Sequence, residues 1–151
     1  KMKELKLETR VEVYAVGELD NIYRQLYEAA FEASKKAYAP YSKFHVGAAV
    51  LLENGEILSG NNQENAAYPS GLCAERTTLF YAGARYPDAA VQILAIAAMK
   101  DGERVDLITP CGACRQVIAE FAAPALPVTF LQNGLLTTKT LAELLPATFQ
   151  L

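Results

Sequence analysis

The chain has 151 residues, 52% of them hydrophobic and 21% charged, with a formal net charge of −3. That is the composition of a packed soluble domain with a real core, which excludes a disordered or low-complexity polymer. No basic run is present to grip a nucleic acid, no apolar run reaches the length of a membrane span, and no signal peptide is apparent.

Residues 1–18 read as an N-terminal arm, in which Leu5 to Val16 alternates apolar and polar residues as a strand or extended segment does. Asp20 is a candidate cap for a helix running to about Ala37. Ile22, Leu26, Ala29, Ala33 and Ala37 form its apolar stripe, widened by Tyr23 and Tyr27. Ala39-Pro40-Tyr41 stops that helix. Val46 to Leu52 and Glu56 to Gly60 then form a hairpin turning at Glu53-Asn54-Gly55. A loop over Asn61 to Leu72 leads into a helix from the first cysteine to about Ala84. Its succession Leu79-Phe80-Tyr81-Ala82 predicts burial on more than one side. Val91 to Met99 is almost continuously apolar, as in a central strand covered on both faces. A charged turn over Lys100 to Val105 precedes a second cysteine helix with Val117, Ile118 and Phe121 inward. Leu126 to Gln132 is another buried strand, and Thr140 to Leu145 a short closing helix. The alternation implies one mixed sheet flanked by helices, with residues 19–151 as a single domain. Right-handed crossovers place the starts of both cysteine helices on one edge of that sheet.

All three cysteines fall in Cys73-Ala74-Glu75-Arg76 and Pro110-Cys111-Gly112-Ala113-Cys114-Arg115-Gln116, each the opening turn of a predicted helix. Free N–H groups and the positive end of the helix dipole favour thiolate there. Cys111 and Cys114 share a helical face and can grip one ion, Cys73 adds a third sulfur, and Glu75 stands two residues beyond it. Three ligands plus a carboxylate that is not a ligand is the pattern of a catalytic zinc, with the fourth corner left to water. A structural zinc needs a fourth protein ligand, and the sole histidine, His45, alternates to the face opposite its apolar neighbours. A redox C-x-x-C explains neither Cys73 nor Glu75. Metal spacing rather than disulfide pairing implies a reducing, cytoplasmic setting. Three thiolates on a divalent cation leave a net negative site, which the helix N-termini and Arg76 can offset.

Four ordered motifs then carry a resemblance over residues 20–149: Tyr41-Ser42-Lys43-Phe44-His45-Val46-Gly47-Ala48-Ala49, Asn62-Gln63-Glu64-Asn65-Ala66, Cys73-Ala74-Glu75-Arg76 and Pro110-Cys111-Gly112-Ala113-Cys114-Arg115-Gln116. Together they resemble the small zinc-dependent cytidine deaminases, in their three-cysteine, homotetrameric form. The resemblance implies an α/β fold, a three-layer α-β-α arrangement with one mixed five-stranded sheet and helices on both faces. It implies hydrolytic deamination of cytidine and deoxycytidine to uridine and deoxyuridine with release of ammonia, a step of pyrimidine salvage. In that chemistry hydroxide generated at the metal attacks C4 and Glu75 shuttles protons. One Zn²⁺ per chain is held by Cys73, Cys111 and Cys114, with Arg76 donating to thiolate. Phe44 packs on the pyrimidine, Asn62 and Glu64 hold the ribose 3′-hydroxyl, and the backbone at Ala66 meets the base. Tyr68 lies near the neighbouring subunit, and Phe149 reaches into that subunit's site. The implied partners are a nucleoside and three further copies of the chain, with no nucleic acid and no membrane. The N-terminal arm and His45 receive no role.

Overall fold

The computed structural model describes Glu12–Val13 and residues 21–151. The rest of the predicted arm and the Asp20 cap lie outside the described residues. In chain order the elements are β1 (Glu12–Val13), α1 (Asn21–Ser34), β2 (His45–Leu52), β3 (Ile57–Asn61), α2 (Ala74–Arg85) and β4 (Val91–Lys100). They continue with β5 (Glu103–Val105), α3 (Gly112–Phe121), β6 (Pro127–Gln132), β7 (Leu135–Thr140) and α4 (Leu141–Leu144).

Six strands run in the order β1-β7-β6-β4-β2-β3, and a seventh, β5, folds back on the end of β4. β4 and β6 pair in parallel, and the other neighbouring strands pair antiparallel. The sheet is mixed as expected, but five strands was too few. β7 and β5 each follow a two-residue turn, Asn133-Gly134 and Asp101-Gly102, whose residues all have positive φ. Such turns match the twist of a hairpin, so the chain doubles back at once. The charged segment after β4 is therefore a small hairpin rather than a plain turn.

Strand alternation divides the core between the two faces of the sheet. On one face Leu26, Tyr27, Ala30 and Phe31 of α1 pack on Ala49, Ile93, Ala95, Ala97 and Leu136. On the other, Leu79 and Ala82 of α2, Ile118 of α3, and Leu141 and Leu144 of α4 pack with Ala48, Val50, Leu94, Ile96, Val128 and Phe130. Each fully buried aliphatic side chain of this kind contributes about 1.5–3 kcal/mol. The result is the three-layer α-β-α arrangement, with Val117 and Phe121 partly buried at the margin of the second core.

Two details of the helices differ from the sequence reading. α1 buries Leu26, Tyr27, Ala30, Phe31 and Ser34, about one position away from the predicted stripe. It lies so close to the sheet that a Cβ on Gly47 would stand 1.8 Å from the Ala30 carbonyl oxygen, which turns the Ala30 edge inward. It also ends at Ser34 rather than Ala37, because the chain then pairs with the loop after β3, Tyr38 N donating to Asn62 O at 3.1 Å. In α2, Phe80 and Tyr81 are exposed and the buried residues are Ala74, Glu75, Thr78, Leu79 and Ala82, so within one chain the helix is buried on one side only.

His45 pairs with Met99 and Gly47 with Asn61, so the start of β2 and the carboxyl ends of β3 and β4 share one edge of the sheet. α2 and α3 both begin after strands ending there, as right-handed crossovers require. That edge of an open α/β sheet is where ligands bind.

Candidate active site

Cys73 is the N-cap of α2 and Cys111 the N-cap of α3, both in extended backbone and neither using its side chain to cap its helix. The sulfurs are thus left free at two helix N-termini. Cys111 Sγ lies 3.9 Å from Cys73 Sγ and 3.4 Å from Cys114 Sγ, and all three lie within 4.8 Å of one another. Among the described residues this is the one cluster of such ligating atoms, and His45 is outside it. The His45 Nδ1 is buried without a hydrogen-bond partner among the described residues.

The thiols divide electrically. Cys73 is lowered to about 5, mainly by the neighbouring Cys114 thiol and then by Arg76, whose Nη2 donates to its sulfur at 3.7 Å. Cys114, fully buried, is raised by the same partnership with Cys73, by burial and by the Glu75 carboxylate. The two thiols thus compete for one charge, and a cation at the three sulfurs would favour thiolate at each of them. Soft sulfur donors at this spacing fit zinc. Glu75 stands at the second position of α2, 4% exposed, and its carboxyl is pushed up to about 7. Burial is the main cause, and the Cys73 charge adds to it. A carboxyl poised near neutrality can both accept and return a proton.

A cavity of about 530 Å³ opens on this cluster and includes Cys73, Glu75, Arg76 and Cys111 in its lining. Its other wall carries Ser42, Phe44, Asn62 and Glu64, with Tyr68 at the margin. The volume suits a small molecule. Asn62 spans the start of β2: its Oδ1 accepts from Val46 N at 2.7 Å and its Nδ2 donates to Phe44 O at 3.0 Å. Glu64 Oε2 accepts from Tyr41 N at 2.9 Å and Ser42 N at 3.3 Å, while Oε1 accepts from the Ser42 hydroxyl. These bonds, that from Ser42 first, hold the Glu64 carboxyl below its usual range.

The structure therefore gathers Cys73, Cys111, Glu75, Arg76, Phe44, Asn62 and Glu64 at one cavity, with Cys114 buried directly behind in the same sulfur cluster. It does not bring Ala66 or Phe149 to that lining: Ala66 is exposed beyond Glu64, and Phe149 is 67% exposed near the C-terminus. The sequence reading missed Ser42 and Arg115. Arg115 Nε donates to Pro110 O at 2.7 Å and Nη1 to Leu144 O at 2.6 Å, tying the turn before Cys111 to the end of α4. A guanidinium with five donors beside a turn of free carbonyls was the available hint.

The sequence model for the cytidine and deoxycytidylate deaminase zinc-binding region matches residues 20–130. A cytidine deaminase of Halalkalibacterium halodurans is 44% identical over 128 residues, 83% of this chain and 92% of that protein. One from Sporosarcina psychrophila is 48% identical over 120 residues, 78% of this chain and 84% of that protein. The crystal structure of cytidine deaminase from Burkholderia pseudomallei superposes with a TM-score of 0.72 at 40% identity, covering 83% of this chain and 98% of that one. A match across most of the chain, with the cysteines and Glu75 inside the matched span, means that this chain belongs to the cytidine deaminase family.

Proposed function

We propose that the chain hydrolytically deaminates cytidine and deoxycytidine, with one zinc ion on Cys73, Cys111 and Cys114 and with Glu75 as the proton carrier. The observation that carries this reading is a cluster of three thiols, two of them on the cavity wall, beside a buried carboxyl near neutrality that lines the same cavity. A zinc ion there would supply Lewis acidity, which makes hydroxide available from water near neutral pH. Glu75 takes the proton of the attacking water and delivers it to N3 of the pyrimidine as hydroxide adds at C4. It then takes the proton of the new C4 hydroxyl and delivers it to the amine, which departs as ammonia while the C4 carbonyl forms. Arg76 balances the thiolate charge through Cys73. Phe44 covers the ring, and Asn62 and Glu64 receive the ribose 3′-hydroxyl.

Residues 19–151 act as one catalytic unit in this reading, and four copies assemble into the working enzyme in the cytoplasm. Tyr68, Tyr81 and Phe149 are 80%, 55% and 67% exposed, and Phe80 is 42% exposed, an aromatic surface suited to burial between copies. Phe149 of one copy completes the cavity of another, and the backbone at Ala66 meets the base. The substrate is a free nucleoside within pyrimidine salvage: an ionised Glu64 accepts a hydrogen bond from a hydroxyl and repels a 3′-phosphate.

The test follows ultraviolet absorbance with deoxycytidine, deoxycytidine 3′-monophosphate and a cytosine-containing single strand at equal concentration. Deoxycytidine turns over, and the two phosphorylated substrates fall behind on the order of a thousandfold. Comparable turnover of the strand would replace the nucleoside assignment with a polynucleotide one. Zinc analysis of the native protein finds about one ion per chain, and its absence would remove the metal from the mechanism.

A further inference from the structure

Among the bonds that join the two segments of the cavity's polar wall, Tyr41–Phe44 and Asn62–Glu64, one comes from a hydroxyl. Ser42 Oγ donates to Glu64 Oε1 and accepts from Phe44 N at 3.0 Å. The Glu64 carboxylate has about four acceptor positions on its two oxygens. Tyr41 N and Ser42 N occupy Oε2, and the Ser42 hydroxyl occupies part of Oε1. What is left for a ligand is on Oε1, and its direction depends on which lone pair Ser42 has taken. The same hydroxyl ties down the amide of Phe44, whose side chain lines the cavity. Ser42 is exposed and sits in an irregular loop between α1 and β2, so burial does not explain its bonding.

We infer that Ser42 is a positioning residue for sugar recognition: its hydroxyl orients Glu64 Oε1 so that the carboxylate selects nucleosides with a free 3′-hydroxyl. The inference rests on the nucleoside reading above. Ser42 touches neither the thiols nor Glu75 through any hydrogen bond among the described residues; its hydroxyl bonds to Glu64 and to the Phe44 amide, and of these only Glu64 offers a polar group to the sugar. Without its hydroxyl, Oε1 keeps two unassigned lone pairs, and the carboxylate is held only from Oε2, by Tyr41 N and Ser42 N. A 3′-hydroxyl then meets an acceptor with no fixed direction. A sugar lacking that hydroxyl has nothing to lose.

The experiment compares deoxycytidine with 2′,3′-dideoxycytidine in the zinc-loaded wild type, Ser42→Ala and Ser42→Thr, with melting temperature and zinc content measured on each protein. Ser42→Ala is expected to lower kcat/KM for deoxycytidine about tenfold, mostly through KM. Its kcat/KM for dideoxycytidine stays within about twofold of wild type, and Ser42→Thr restores the preference for the 3′-hydroxyl. Should Ser42→Ala lose its fold, Ser42→Cys, which keeps the size and weakens the donor, reads the same split. Equal losses on both substrates, or no loss on either, would overturn the inference while leaving the deaminase reading in place. A Thr variant no better than Ala would assign the effect to volume and overturn it too. A zinc-loaded wild type that deaminates neither substrate refutes the proposed function itself, and this inference with it.

Discussion

The two walls of the cavity are built on opposite principles. The wall at the starts of α2 and α3 is electrically loaded: one thiol is lowered to about 5, another raised, and a buried carboxyl is pushed up to about 7. The wall made by the loops around Phe44 and Glu64 is internally satisfied, its carboxamide and carboxylate already bonded to neighbouring backbone. A loaded wall has groups that are stable only with a cation or a proton present, which suits chemistry. A satisfied wall holds a shape, which suits recognition. Substitutions on the first should therefore change turnover with little effect on the fold, and those on the second should change binding and stability together.

The largest effect expected is that of Glu75→Gln. Turnover should fall by about a thousandfold or more with zinc content near wild type, since the proposed proton carrier is lost. Steady-state kinetics beside metal analysis checks this, and activity within tenfold of wild type would remove Glu75 from the loaded wall.

The titration of Glu75 is the next way to test the contrast. Its carboxyl is raised from 4.5 to about 7 in the folded metal-free chain, so folding favours the protonated form. That stabilisation is complete below pH 4.5 and is lost as pH rises through 7, amounting to on the order of 3 kcal/mol. Cys73 works in the opposite sense, its lowered thiol gaining stability as pH rises from about 5 toward 9. Subtracting the Glu75→Gln profile removes this shared contribution. Denaturant unfolding of both metal-free proteins should give a difference that declines between pH 4.5 and 7 and then levels. A flat difference would mean the carboxyl is not strained by its burial.

On the satisfied wall, Asn62→Ala removes the bridge between Phe44 O and Val46 N. It should cost about 1–3 kcal/mol of stability and raise KM, leaving zinc in place. A melting temperature unchanged from wild type would show that this wall is not held together from within.

The smallest effect is expected at Phe149, which belongs to neither wall of its own chain. Phe149→Ala should raise KM severalfold at unchanged zinc content, because the lost ring completes a neighbour's cavity in the proposed assembly. Sedimentation finding a fully active monomer would sink that assembly.

Much of this site could be read in the chain because its spacing is local. Cys73 and Glu75, or Cys111 and Cys114, are separated by a turn or less of helix, and a helix start imposes the same geometry on any such pair. The long apolar run of β4 and the Glu53-Asn54-Gly55 turn were equally local, and the strands they predict are present. Asn133-Gly134 carried the same kind of signal for β7 but stood among weakly alternating threonines, where the period-two pattern is faint. Only the tertiary structure decided that Cys73 lies beside Cys111, because 38 residues and a whole crossover separate them. It also decided which edge of α1 faces the sheet, since that depends on Gly47 admitting the Ala30 carbonyl. Ser42 shows the limit most clearly: a serine between tyrosine and lysine has no periodicity and no cluster to mark it. Its meaning comes from a carboxylate 22 residues away. A hydrogen bond between loops is set by the sheet that carries them, which no local spacing encodes.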